Sequence, residues 1–104
     1  MDIKGKNAVI TGAGKGLGKA VALALANEGV NVAITGRNEE NLRNTVQEIK
    51  NIGMKSAYAV FNIDNEEEVK AGIDKLAKEM GGIDILVNNA GIGDFGSIND
   101  MEKF

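Results

Sequence analysis

The chain has 104 residues, a formal net charge of −3 and 43% hydrophobic residues, a composition typical of one soluble globular unit and not of a disordered or fibrous segment. The acidic balance and the scatter of the 12 basic residues argue against nucleic acid or an anionic membrane surface as a main partner, because both select for clustered Lys and Arg. The absence of cysteine and histidine excludes a disulfide framework and a thiolate zinc site, and we expect no catalytic metal.

Short apolar runs alternate along the chain with longer stretches of helical periodicity, and glycine marks nearly every junction. The N-terminal residues do not resemble a signal peptide, and no window is long and apolar enough to span a membrane, so we expect a cytoplasmic protein. In chain order, the pattern predicts strand 7–11, helix 17–28, strand 31–35, a helix between the cap Asn38 and Gly53, strand 56–63, a helix between the cap Asp64 or Asn65 and Gly81, and strand 83–88.

The three predicted helices differ in how far their apolar residues extend around the helix. The first is apolar on almost every side, which predicts that it is buried. The second and third have acidic residues in their first turns, where a negative charge favours the positive end of the helix dipole. Each of these two has one apolar stripe, formed by Leu42, Val46, Ile49 and Ile52 in the second and by Val69, Ile73, Leu76 and Met80 in the third.

Strands joined by helical crossovers form a parallel sheet, and right-handed crossovers place helices on both of its faces. We therefore predict an α/β fold, a Rossmann-type doubly wound sheet in the strand order 3-2-1-4. Helices one and two would share one face and helix three would lie on the other, which leaves the fourth strand as an open edge and one face undercovered. Ligands of such sheets bind beyond the carboxyl ends of the strands, so the residues directly after each strand are candidate functional residues.

The first strand is followed by the glycine-rich segment TGAGKGLG, from Thr11 to Gly18. Glycines allow the backbone to approach a diphosphate, and the helix that follows offers unpaired N–H groups. The strict G-x-G-x-x-G spacing fails at Leu17, and a Walker phosphate loop fails because Gly16 follows Lys15. The pattern T-G-x-x-x-G-x-G that remains predicts a phosphate-binding turn, and a merely structural turn is the alternative.

The second strand ends in Thr35-Gly36-Arg37-Asn38, where an NAD-binding protein would have an acidic residue for the ribose 2′-hydroxyl. Glycine occupies the acid position, Arg37 follows it, and Lys15 can reach the same pocket, which gives two cations for one phosphate. This arrangement predicts NADP(H) as the cofactor. The alternative is that Arg37 is a solvated turn residue.

The fourth strand ends in Asn88-Asn89-Ala90-Gly91, and paired amides after four apolar residues need hydrogen-bond partners. An Asx turn that ends the strand is the structural alternative. In order and spacing over the whole chain, TGAGKGLG followed by NNAG resembles the short-chain dehydrogenases/reductases, and the sequence is most similar to the bacterial 3-oxoacyl-[acyl-carrier-protein] reductases of that family.

The resemblance implies a set of cofactor-binding residues. In the family the glycine motif lies along the pyrophosphate, the residue after strand two faces the adenosine ribose, the end of strand three flanks the adenine, and NNAG borders the ribose and stabilises the central strand. Carried over by position, these residues are Gly12, Gly14, Lys15, Gly16, Leu17, Arg37, Asn62, Ile63, Asn88, Ala90 and Gly91. Asn62-Ile63 departs from the usual Asp-Val pair and lacks its acid.

The family's catalytic Ser, its Tyr-x-x-x-Lys pair and its helix asparagine match no residue of this chain. Tyr58, the only tyrosine, is followed four residues later by Asn62, so we interpret it as a packing residue of strand three. Residues 1–104 are thus expected to be the N-terminal, dinucleotide-binding part of a single Rossmann-fold domain, without catalytic residues and without the catalytic C-terminal half.

For the complete protein, the resemblance implies a homotetrameric, NADPH-dependent carbonyl reductase that acts on a small-molecule or acyl-carrier-protein-bound substrate in fatty acid synthesis. Three alternatives stay open: a short-chain dehydrogenase for another alcohol or ketone, a non-catalytic dinucleotide-binding module such as a redox sensor, and a methyltransferase with a similar sheet. The last is disfavoured because its ribose-binding acid at the end of strand two is also missing.

Overall fold

Four strands and three helices alternate along residues 2–89, the part of the chain that this computed structural model describes. The strands and helices are β1 (Asn7–Thr11), α1 (Gly16–Asn27), β2 (Asn31–Gly36), α2 (Glu39–Ile52), β3 (Ser56–Val60), α3 (Glu66–Met80) and β4 (Ile85–Asn88). All strand pairs are parallel and the order is β3-β2-β1-β4, which confirms the predicted doubly wound sheet.

Alternate residues of the strands point into two separate hydrophobic layers, as the period of two requires. On one face, strand residues such as Ile10 and Ile34 pack with α1 and α2, and on the other Val9 and Ala33 pack with Leu76 of α3. The prediction that α1 and α2 share a face, with α3 opposite, is confirmed.

Within the described residues, no helix is long and apolar enough to cross a bilayer.

Two strands are shorter than the apolar runs predicted. β3 ends at Val60 because Asn62 turns the chain: its Oδ1 accepts the Asp64 N–H at 3.0 Å, and its carbonyl accepts the Asn65 N–H at 3.0 Å. Asn65 is then the N-cap of α3, since its side chain accepts the Glu68 N–H at 3.1 Å. β4 begins at residue 85, two residues later than predicted.

The prediction that the first helix is buried on every side is wrong. Only one stripe of α1 is buried, formed by Gly18, Ala22 and Ala26, whereas Leu17 is 57% exposed. A helix that packs on a sheet buries one side, and in residues 2–89 no second layer covers the outer side of α1. The stripe of α2 likewise stops at Ile49, because Ile52 lies about 80° around the helix from Leu42 at 3.6 residues per turn.

The amino ends of the strands are joined by a hydrogen-bond network that we call the amino-end amide network. Asn7 Nδ2 donates to the carbonyls of Met80 (2.9 Å) and Gly82 (3.1 Å). Asn31 Nδ2 donates to Asn7 Oδ1 at 3.0 Å, and Asn31 Oδ1 accepts the Lys55 N–H at 3.1 Å. The network fixes the starts of β1, β2 and β3 and the turn after α3 relative to one another, at the edge of the sheet opposite to the glycine loop.

Candidate functional site

The glycine loop between β1 and α1 lies at the carboxyl edge of the sheet. Gly12 (φ +69°) and Gly16 (φ +63°) have left-handed backbone conformations that favour glycine. The Ala13 N–H donates to the Thr35 carbonyl at 3.0 Å, which ties the loop to β2. Lys15 occupies the N-cap position of α1 without a side-chain cap bond, so no side chain of the described residues caps the first N–H groups of this helix. Uncapped N–H groups at this edge suit an anionic ligand.

Gly18 is the point at which α1 approaches the end of β4. A Cβ at this position would collide with the Asn89 side-chain amide and with the Gly12 carbonyl. Asn89 Nδ2 donates to that carbonyl at 2.9 Å, and the Asn89 N–H donates to Thr11 Oγ1 at 3.0 Å. Thr11 Oγ1 in turn donates to Asn88 Oδ1 at 3.0 Å. The paired asparagines therefore hold the glycine loop against β4.

Asn89 is a site residue that the sequence prediction missed, because only its neighbour Asn88 was carried over from the family motif. Its side chain is 8% exposed, and its Oδ1 has no hydrogen-bond partner in the described part of the chain. The signal was present in the sequence, since a polar side chain directly after an apolar run that predicts a strand needs a hydrogen-bond partner.

A cavity of about 220 Å³ lies between the glycine loop and the start of α2. Its lining residues come from the ends of β1 and β2 and from the first turn of α2, and they are Gly12, Gly14, Lys15, Gly36, Arg37, Asn38, Asn41 and Leu42. Two of these eight are cations and none is a carboxylate. The ion pairs among residues 2–89 involve other side chains, so neither Lys15 nor Arg37 is neutralised there.

Two glycines keep this cavity open. A Cβ at Gly36 would lie 3.2 Å from Leu42 Cδ2, and a Cβ at Gly14 would lie 3.2 Å from Asn41 Cβ. Leu42 is fully buried, so it forms a fixed floor. A Cβ at position 14 or 36 would therefore require Asn41 or Leu42 to shift by a few tenths of an ångström.

The structure brings together four of the predicted cofactor-binding residues, since Gly12, Gly14, Lys15 and Arg37 all line the cavity. Three more lie beside it or at the same edge: Gly16 and Leu17 begin α1, and Asn88 ends β4. The assignment of all of these residues to a cofactor stays a prediction.

The remaining predicted residues are not part of this group. Asn62 and Ile63 are exposed in the turn after β3, Ile63 by 44%, and do not line the cavity. Ala90 and Gly91 lie outside the described residues. Asn38 was predicted only as a helix cap, which it is, because its Oδ1 accepts the Asn41 N–H at 3.0 Å. Asn41 and Leu42 line the cavity as well, although no sequence motif indicated a site role for them.

A larger groove of about 720 Å³ runs along the edge strand β3, but it has none of the glycine loop in its lining. Tyr58 lies in this groove, where its hydroxyl donates to Glu39 Oε2 at 2.9 Å and its carbonyl accepts from Lys75 Nζ at 3.1 Å. Its ring also packs against the core on the side of α1 and α2. We regard the smaller cavity as the candidate site, because it lies at the carboxyl edge of the sheet, where ligands of parallel sheets bind.

Among residues 2–89 no cluster of three or more acidic side chains is placed to hold a metal ion.

The strand order and the glycine loop at the carboxyl edge define a Rossmann-type protein. A family model described as short chain dehydrogenase matches residues 6–103. The chain therefore belongs to the short-chain dehydrogenase/reductase family, whose members are oxidoreductases that bind a nicotinamide dinucleotide.

Individual relatives differ in what they act on. The chain is 43% identical over 88 residues to 3-oxoacyl-[acyl-carrier-protein] reductase FabG of Staphylococcus aureus, a match that covers 84% of this chain and 36% of the relative. It is 39% identical over 90 residues to gluconate 5-dehydrogenase of Gluconobacter oxydans, covering 86% of this chain and 35% of the relative. The chain thus spans about a third of the length of the curated relatives it matches.

Solved structures share the fold. A short-chain type dehydrogenase/reductase from Mycobacterium marinum superposes with a TM-score of 0.77 at 40% identity, over 83% of this chain and 35% of that chain. Two other structures contain different cofactors. An actinorhodin polyketide ketoreductase with NADPH superposes with a TM-score of 0.75 at 32% identity, over 81% of this chain and 32% of that chain. A xylitol dehydrogenase with NAD⁺ superposes with a TM-score of 0.79 at 32% identity, over 84% of this chain and 34% of that chain. Both cofactors therefore occur on this fold.

Proposed function

We propose that this chain is the cofactor-binding part of an NADPH-dependent oxidoreductase that reduces a carbonyl group to an alcohol. The cofactor choice rests on the cavity at the end of β2. Lys15 and Arg37 both line this cavity, and no carboxylate does. A 2′-phosphate would supply the negative charge that these two cations lack within residues 2–89. A 2′-hydroxyl would leave both cations unneutralised and would find no acid to accept its hydrogen bond.

The other residues of the carboxyl edge fit the rest of the same cofactor. The glycine loop from Gly12 to Gly16, with Leu17, would lie along the pyrophosphate, close to the uncapped start of α1. Asn62 and Ile63 would flank the adenine, and Asn88, Ala90 and Gly91 would border the ribose. When bound, the nicotinamide supplies the hydride, and the residues of this chain bind and orient it. Tyr58 is engaged with Glu39 in the groove of β3 and does not line the candidate site, so it is not proposed as the acid or base.

For the substrate, we propose a 3-oxoacyl thioester carried by acyl carrier protein, and a complete protein that is a cytoplasmic homotetramer. The sequence likeness to the Staphylococcus aureus reductase supports this substrate. The second candidate is a dehydrogenase for another alcohol or ketone, which the comparable identity to gluconate 5-dehydrogenase supports. Assays of the complete gene product with an acetoacetyl thioester and with a sugar acid separate the two candidates.

The cofactor proposal is tested by exchanging the residues at the end of β2. Gly36→Asp with Arg37→Gln should reverse a preference for NADPH, because a carboxylate then stands beside the 2′-position and a cation is lost. Each charged hydrogen bond removed is expected to weaken NADPH binding by about 1.5–3 kcal/mol. Arg43→Gln is the matched control, since Arg43 lies on α2, pairs with Glu39 and does not line the cavity. Equal use of both cofactors by the unmodified protein would contradict the proposal.

The assignment of cofactor binding and catalysis to different parts of the protein is tested with residues 1–104 alone. Because the chain has no match to the family's catalytic residues, it should show no reduction of 3-oxoacyl thioesters with NADPH, measured as loss of NADPH absorbance. Turnover at the rate of the complete protein would show that the catalytic residues have been assigned to the wrong part of the protein.

A further inference from the structure

We propose that Asn41 is a specificity-determining residue that binds the 2′-phosphate of NADPH together with Lys15 and Arg37. The inference rests on the proposed cofactor choice and adds a third, uncharged donor to the cavity. Asn41 belongs to the first turn of α2 and lines the same cavity as the two cations. Nothing in the sequence motifs at the ends of the strands points to it.

The backbone of Asn41 is held on both sides. Its N–H donates to Asn38 Oδ1 at 3.0 Å, and its carbonyl accepts from Thr45 Oγ1 at 3.0 Å. Thr45 is fully buried and its Oγ1 also lies 3.4 Å from the Gly14 carbonyl, so the same hydroxyl links α2 to the glycine loop. The position of the Asn41 Cα relative to the loop is therefore fixed before any ligand binds.

The side chain of Asn41, in contrast, has no hydrogen-bond partner among the described residues, although it is half-buried. A Cβ built on Gly14 would lie 3.2 Å from the Asn41 Cβ. Any side chain at position 14 would therefore crowd the side chain of Asn41. Asn41 is itself one of the residues that line the cavity. The Asn41 amide is therefore available to bond to a ligand group placed in the cavity.

The chemistry of the lining identifies that ligand group. An asparagine amide carries two N–H donors, lysine and arginine carry only donors, and a phosphate monoester has three terminal oxygens that only accept. Lys15, Arg37 and Asn41 thus give one donor residue for each terminal oxygen of a 2′-phosphate. A short side chain on a fixed backbone also adds selectivity that two long cationic side chains lack, because their charges attract any anion.

The test measures binding of adenosine 2′,5′-bisphosphate and of 5′-AMP to the complete gene product by calorimetry. These two probes differ in the 2′-phosphate. Asn41→Ala should weaken binding of the bisphosphate roughly tenfold or more, as expected for the loss of a hydrogen bond to a charged group, and should change binding of 5′-AMP much less. Asn41→Asp, of equal size, should weaken it further because a carboxylate repels the phosphate. Asn44→Asp is the matched control, since Asn44 is exposed on the same helix and does not line the cavity.

The outcomes separate this inference from the cofactor proposal. If the unmodified protein binds both probes equally, the preference for NADP(H) itself is wrong. If the unmodified protein prefers the bisphosphate but Asn41→Ala and Asn41→Asp behave like Asn44→Asp, the role of Asn41 is refuted and the cofactor proposal stands. Both affinities are measured on one preparation, so a partly unfolded variant lowers the binding capacity for both probes and leaves their affinity ratio interpretable.

Discussion

Gly72, in the middle of α3, allows a sharp test of how this helix packs on the sheet. Glycine in a helix interior is normally unfavourable, and its replacement by alanine stabilises an unhindered helix by about 0.8–1 kcal/mol. Here a Cβ would collide with ring atoms Cδ2 and Cε2 of Phe61 and would lie 3.5 Å from Ala59 Cβ. Phe61 is only 5% exposed and belongs to the core between the sheet and α3, and both it and Gly72 also border the groove along β3.

The expected effect of Gly72→Ala follows from two opposing terms. Overpacking a core costs about 1–3 kcal/mol, and the gain in helix propensity offsets about 1 kcal/mol of this. Because the collision is with the ring of a buried side chain, we expect the upper part of that range and a net loss of about 1–2 kcal/mol in the free energy of unfolding. Urea denaturation of the complete gene product at one fixed protein concentration measures it.

Two further variants separate packing from propensity. Ala71→Gly, at an exposed neighbouring position on α3, changes propensity alone and should destabilise by about 1 kcal/mol. Phe61→Leu combined with Gly72→Ala should be less destabilised than the sum of the single changes, because the smaller side chain makes room for the Cβ. If Gly72→Ala instead stabilises the protein as propensity predicts, the described contact between α3 and Phe61 is wrong.

Three more outcomes are expected. Gly18→Ala should lower both the melting temperature and the affinity for NADPH, because its Cβ displaces the Asn89 amide from the Gly12 carbonyl. If both stay unchanged, α1 can shift freely to make room for the Cβ. Asn7→Ala should lower the free energy of unfolding by about 1–3 kcal/mol, since it leaves partly buried partners unpaired, while the ratio of NADPH to NADH affinity stays constant in a binding titration. Residues 1–104 alone should aggregate or unfold non-cooperatively in size-exclusion and thermal experiments, and adding the remainder of the domain should restore a sharp transition; a monodisperse, cooperatively melting fragment would contradict this.

The sheet was predictable because its signals are local and repeated. Four short apolar runs separated by helical periods leave little choice other than a parallel sheet, and β1 has the bounds that its composition predicts. The end of β3 was not predictable in the same way. Phe61 and Ile63 extend the apolar alternation, but the Asn62 side chain bonds to the N–H two residues later and turns the chain. A single side-chain hydrogen bond therefore overrode the pattern of hydrophobicity.

The candidate site was predicted as far as it depends on strand ends. Gly12 and Arg37 follow strands directly and Lys15 lies in the same loop as Gly12, and topology alone brings such residues to one edge. Asn41 and Leu42 line the same cavity for a different reason, because the first turn of α2 folds back over the glycine loop. Packing between elements sets the direction in which a helix leaves a strand. Hydrophobic periodicity gives no information about that direction.

The bond between Lys75 and the edge strand has a consequence for how the sheet can be enlarged. In a parallel pair, alternate residues of β3 direct both their N–H and C=O groups away from β2, and Tyr58 is one of these residues. Lys75 Nζ already occupies the Tyr58 carbonyl at 3.1 Å, and its charge lies across the path of any incoming strand. Lysine at an edge is a common obstacle to strand addition. Lys75 therefore obstructs the addition of a further strand, natural or designed, at the β3 edge of the sheet.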